Sequence, residues 1–114
     1  MKVTEDELRW RAGRVGAVEN GTTTDATAAL LDLTYNEVDR AWLQRFLLEC
    51  TAVGRDPQVR RLAVTCLGHV ARLDGRIDDA VRERLQQLMS DPDLGGTAED
   101  ALGDILDYVD RQRS

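Results

Sequence analysis

The chain has little from which a metal site, a disulfide framework or a β-sheet could be built. It holds one histidine, two cysteines, two prolines and one phenylalanine. One histidine with no Cys-x-x-Cys pair cannot assemble the common zinc sites. The cysteines, Cys50 and Cys66, each fall in an apolar helical stripe and read as small buried apolar residues, with a redox pair as the lesser alternative. The β-branched residues are scattered rather than alternating, which speaks against strands. No apolar run approaches the roughly 18 residues that span a bilayer. The N-terminal segment is rich in Glu and Asp and lacks the apolar stretch of a secretory signal. A membrane role is therefore not expected, and a reduced, cytoplasmic protein is.

Basic surface is also missing. The formal net charge is −6. Residues 91–114 carry seven acidic and two basic side chains, so most of the excess sits in the last fifth of the chain. A nucleic-acid backbone requires the opposite sign, so direct nucleic-acid binding is not expected. Either solubility or a basic protein partner accounts for such a charge. Nor is a catalytic set visible. Cys66 and His69 are neighbours at i, i+3, but Cys66 belongs to the inward stripe, and no Ser lies in a nucleophile motif. The chain is not expected to be an enzyme or to carry a cofactor.

What the chain does contain is a phrase used twice. Asp56 to Gly68 reads D-P-Q-V-R-R-L-A-V-T-C-L-G, and Asp91 to Gly103 reads D-P-D-L-G-G-T-A-E-D-A-L-G, 35 residues later. Asp, Pro, Ala, Leu and Gly recur in register. The offset extends upstream, where Trp42, Phe46, Cys50 and Val53 align with Ile77, Val81, Leu85 and Leu88. Such a period signals stacked helical hairpins, each with an apolar face that it cannot bury alone. The expected fold is all-α, a short α-solenoid in one domain over 1–114.

The spacing predicts a first repeat over 36–73, with helices from Asn36 to Val53 and, capped by Asp56 with Pro57 at its first position, to about Leu73. The second repeat spans 76–112, its last helix starting near Thr97 because Gly95-Gly96 delays it. Gly68 is expected to let a neighbouring helix approach closely. A capping helix occupies 21–35, with Thr23 or Thr24 as its cap and Ala28, Leu31 and Tyr35 among its periodic apolar positions. Residues 1–20 form either a loosely docked arm or a short helix, Glu5 to Arg14, behind a T-x-x-E capping box.

The last helix carries Asp100, Asp104 and Asp107 at i, i+4, i+7. Like charges at this spacing oppose one another, and the first two lie too far into the helix for its dipole to explain them. The 35-residue register sets them beside Thr65, His69 and Arg72, with Asp32 and Tyr35 extending the face. These eight residues are the candidate partner-binding site: Asp32, Tyr35, Thr65, His69, Arg72, Asp100, Asp104 and Asp107.

The unit D-P-x-V-R-x-x-A-x-x-x-L-G resembles the HEAT repeat. Its second copy departs from the pattern where Gly95 replaces the arginine, so the tie between units rests on Asp56 and Arg60. The phrases Leu30–Glu37, Val59–Arg72 and Ala98–Ile105 resemble those of small HEAT-like bacterial proteins of toxin–immunity systems, including contact-dependent growth inhibition. The resemblance implies a cytoplasmic immunity protein, a monomer or weak dimer. It would bind and block the toxin domain of a cognate effector, often a nuclease and so basic. The alternative is a general HEAT-like adaptor or regulatory subunit with no toxin partner.

Overall fold

Thr4 begins the first helix as its T-x-x-E pattern requires. Its hydroxyl accepts from the Glu7 N–H (3.1 Å), and the Glu7 carboxylate accepts from the Thr4 N–H (3.0 Å). In the computed structural model, which describes residues 2–113, this helix is α1, Glu5–Asn20. Met1 and Ser114, the ends of the expected domain, lie outside the described residues. Gly13 and Gly16 do not break α1, which runs past the expected end at Arg14. It is not a loose arm: Val18 is buried, and Trp10 and Val15 pack on the core.

The helices that follow are α2 Thr23–Asn36, α3 Arg40–Cys50, α4 Pro57–Asp74, α5 Asp79–Leu88 and α6 Gly95–Ile105. A π-helical turn, Leu106–Asp110, and a 3-10 turn, Arg111–Arg113, continue α6. No strand occurs among the described residues. The fold is all-α.

Several expected boundaries shift for local reasons. The cap of α2 is Thr22 rather than Thr23 or Thr24, because Thr22 forms a reciprocal box with Asp25. α3 begins at Arg40 and not Asn36. Asp39 caps it by accepting from the Trp42 N–H (3.0 Å), and the buried Glu37 carboxylate accepts from the Asp39 N–H (2.8 Å), which fixes a bend between α2 and α3. α3 ends at Cys50, so Val53 lies in the following turn and is 86% exposed. The inward residues of α3 are Leu43, Leu47 and Cys50 with Phe46, while Trp42 is half-buried. α6 starts at Gly95, two residues before Thr97, because the Asp91 carboxylate accepts from the Asp93 and Leu94 N–H groups and closes the turn ahead of it. Asp56 and Pro57 do open α4. Gly75 ends it in the left-handed region at φ 67°.

Side-chain ties give the arrangement. Within hairpins, Arg11 meets Glu37, Arg40 meets Asp74, and Arg82 meets Asp110. Each joins the first half of one helix to the end of the next, and α1/α2, α3/α4 and α5/α6 are three antiparallel pairs. Between hairpins the contacts run at separations of 33 or 34 residues, close to the repeat's 35. Thr23 donates to Asp56 (2.9 Å), the Asp78 N–H donates to Gln44 (2.8 Å), and Arg84 donates to the Thr51 carbonyl (3.1 Å). Arg60 donates to the Thr51 carbonyl (3.0 Å) within its own hairpin, and its reach to the next is a 3.9 Å ion pair with Asp91 that makes no hydrogen bond. α2, α4 and α6 therefore lie side by side, with α4 in the middle. They form one layer of a slab whose extents are 38 × 34 × 18 Å. Core side chains such as Leu30, Leu33, Leu67, Leu85 and Ile105 fill the slab's interior.

Candidate interaction face

A helix packed in a layer keeps one ridge outward. On α4 that ridge is Gln58, Arg61, Thr65, His69 and Arg72, at successive steps of three or four residues. α2 presents Thr27, Leu31 and Tyr35 beside it, and α6 presents Asp100 and Asp104 on its far side.

The structure brings three of the eight candidate residues together. Tyr35, His69 and Arg72 line one concavity of about 280 Å³ with Leu73 and Tyr108. The Tyr35 and His69 rings lie 5.9 Å apart, and the Arg72 guanidinium sits 5.7 Å from the centre of the Tyr108 ring. Thr65 lines a second concavity further along the α2/α4 groove, with Thr27, Gln58, Arg61 and Leu62. Asp104 packs where α4 and α6 approach most closely. A Cβ on Gly68 would stand 2.8 Å from an Asp104 carboxylate oxygen and 3.2 Å from the Ala101 Cα, which explains the glycine. Asp100 is exposed, and neither it nor Asp104 has an ion pair among the described residues.

Two candidates are turned to other partners. Asp32 accepts from the Asn36 side chain (2.8 Å) and faces Arg14 of α1 at 3.7 Å. Asp107 pairs with Arg111 (3.1 Å) and not with Arg72. The π turn accounts for the second difference. One extra residue in the turn slips the register, so Tyr108 occupies the place beside Arg72 where the 35-residue offset puts Asp107.

Sequence reasoning missed Arg61, Leu73 and Tyr108. Arg61 was within reach, since it continues the Thr65, His69, Arg72 spacing one turn upstream. Leu31 and Tyr35 look like core by periodicity, yet they are 38% and 53% exposed. Neighbouring positions Ala29, Leu30 and Leu33 take the buried side.

The remaining reactive groups are quiet. Cys50 and Cys66 are free and fully buried. Burial pushes their thiols up to about 12 and about 11, which leaves almost no thiolate at neutral pH. Among the described residues no group of three His, Cys, Asp or Glu side chains could hold a metal ion. No helix is long and apolar enough to cross a membrane.

Three stacked antiparallel helix pairs in two layers define the protein as a small all-α molecule. No family model matches the chain, nor does any curated protein. Among solved structures it is similar to a chain of a CDI complex (contact-dependent growth inhibition) from Cupriavidus taiwanensis LMG 19424. The two are 30% identical, the match covers 90% of each chain, and the TM-score is 0.79. The chain belongs to the family of that CDI-complex protein, and its likeness to toxin–immunity proteins extends from local phrases to the whole fold.

Proposed function

We propose that this chain is an immunity protein: a non-enzymatic inhibitor, working in the cytoplasm, that binds the toxin domain of a cognate effector and blocks it. The likeness to a CDI-complex chain over nine-tenths of both sequences carries this reading. The α3/α4 and α5/α6 hairpins are read as two HEAT-like units capped by α1 and α2, and the α2/α4/α6 layer as the contact face. Asp100 and Asp104 support a basic partner, because neither has an internal cation to neutralise it. Asp107 is exposed one turn further on but is paired with Arg111. A nuclease domain fits that description, since it must be basic to hold a phosphate backbone. Tyr35, His69 and Arg72 supply the aromatic and guanidinium groups that dominate binding energy in protein interfaces. Thr65 and Asp32 flank them.

The test is expression of the toxin domain encoded beside this gene, with and without the chain, in a host that lacks both. The toxin domain alone should arrest growth, co-expression should restore it, and the purified pair should form a 1:1 complex. Growth arrest that the chain does not relieve would remove the immunity assignment.

A further inference from the structure

Most partly buried arginines in this molecule are spoken for. Arg11, Arg14, Arg40, Arg55 and Arg82 each face a carboxylate. Arg61 and Arg72 are exposed on the outer ridge of α4 and face none. Neither makes a hydrogen bond or ion pair among the described residues, and Arg72 has only the Tyr108 ring beside it. Each lines its own concavity, of about 410 Å³ for Arg61 and about 280 Å³ for Arg72, and no carboxylate lines either one. Between them stand Leu62 and Thr65 on α4, and Leu31 on the neighbouring α2 is exposed. The groove is a shallow trough with an exposed cation that has no carboxylate partner at each end and a largely apolar middle.

The spacing is specific. Arg61 and Arg72 are eleven residues apart on one helix, hence about 16 Å along its axis, and eleven steps of about 100° bring them back to nearly one face. A second helix lying along the groove repeats that geometry residue for residue. We propose that the α2/α4 groove docks a helical segment of a protein partner that carries two carboxylates eleven residues apart with apolar side chains between them. The charge pattern also fixes where the segment lies. Asp100 and Asp104, across α4, repel an acidic helix from the α4/α6 side and confine it to the α2/α4 side. The face is thus two-signed, with cations along α4 and carboxylates along α6, and not simply acidic. This goes beyond the toxin reading, because it specifies the chemistry of one partner element whatever that partner does.

The inference is tested with the intact chain, labelled with nitrogen-15, and a synthetic helical peptide bearing two glutamates eleven residues apart with leucines on the same face between them. A matched peptide with lysines in place of the glutamates is the control. The glutamate peptide should shift the amide resonances of Leu31, Tyr35, Arg61, Thr65 and Arg72 saturably, and the lysine peptide should not. The double variant R61E/R72E should keep its circular dichroism, both residues being exposed, and lose about tenfold or more in affinity for the glutamate peptide. Non-saturating shifts, shifts confined to α1, α3 and α5, or equal binding by R61E/R72E overturn the proposal. Failure here with growth protection intact leaves the immunity reading standing. Peptide binding without protection removes that reading and keeps the groove.

Discussion

Glu37 shows how much of this fold rests on one carboxylate. It is 3% exposed, and burial alone would drive it toward the neutral acid. Arg11 overrides that, donating to both oxygens at 2.6 and 3.0 Å, and the Asp39 N–H adds a third bond at 2.8 Å. The net result holds the Glu37 carboxyl below its ordinary range. The same Arg11 guanidinium lies 4.2 Å from the centre of the Trp42 ring, which in turn stacks on Phe46 at 5.2 Å. One ion pair therefore fixes the α2/α3 bend and clamps α1 to the second hairpin. Glu37→Gln keeps the volume and strands a guanidinium whose side chain is 13% exposed. Its expected cost is about 3 kcal/mol in urea unfolding at pH 7. The pH dependence follows from the sign of the shift. The folded carboxyl is more acidic than the unfolded one, so its contribution is complete above the ordinary value of about 4.3 and is lost as pH falls through the folded value. The gap between wild type and Glu37→Gln should narrow as pH drops from 6 to 3.

At the scale of elements, the repeated phrase places one glycine in two environments. Gly68 is wedged against α6, and a Cβ there would press on the Ala101 backbone at 3.2 Å. Gly103, its counterpart 35 residues on, has nothing within 4 Å, because among the described residues no hairpin stacks beyond α6. Gly68→Val should therefore cost about 2 kcal/mol through overpacking. Gly103→Ala should stabilise by about 0.5–1 kcal/mol, the helix-propensity gain with no clash to offset it. Calorimetric unfolding of the two variants measures both. The same pair shows what the sequence made legible. The repeat, the Asp–Pro start of α4 and the close approach at Gly68 were readable, because each follows from one local rule. The Asn36–Asp39 bend was not, since it is held by Arg11 from 26 residues away. The π turn that exchanges Asp107 for Tyr108 was not either, since nothing local in Leu106–Asp110 marks an inserted residue. Of the candidate face, the α4 ridge was legible from its spacing. Which α2 and α6 residues meet it depended on packing that a fixed offset does not encode.

Over the whole molecule, charge and shape divide the work of binding. The chain carries −6, most of it in residues 91–114, and Asp100 and Asp107 are exposed on the α6 side with Asp104 half-buried between them. Exposed carboxylates at an edge act at a distance: they raise the encounter rate with a basic partner more than they lengthen the life of the complex. In the proposed contact, the central groups Tyr35, His69, Arg72 and Tyr108 would act only at close range and set how long the complex lasts. With the toxin partner proposed above, replacing Asp100, Asp104 and Asp107 together by Asn should lower the association rate by about tenfold at low salt. The dissociation rate should change by less than about threefold. The loss should shrink toward nothing near 1 M salt, where the Debye length falls to about 3 Å. Tyr35→Ala should do the reverse, leaving association nearly intact and speeding dissociation by about tenfold or more. Surface plasmon resonance across a salt series separates the two. A triple-aspartate variant that dissociates faster while associating at the wild-type rate would place those carboxylates in the buried centre of the contact and not at its steering edge.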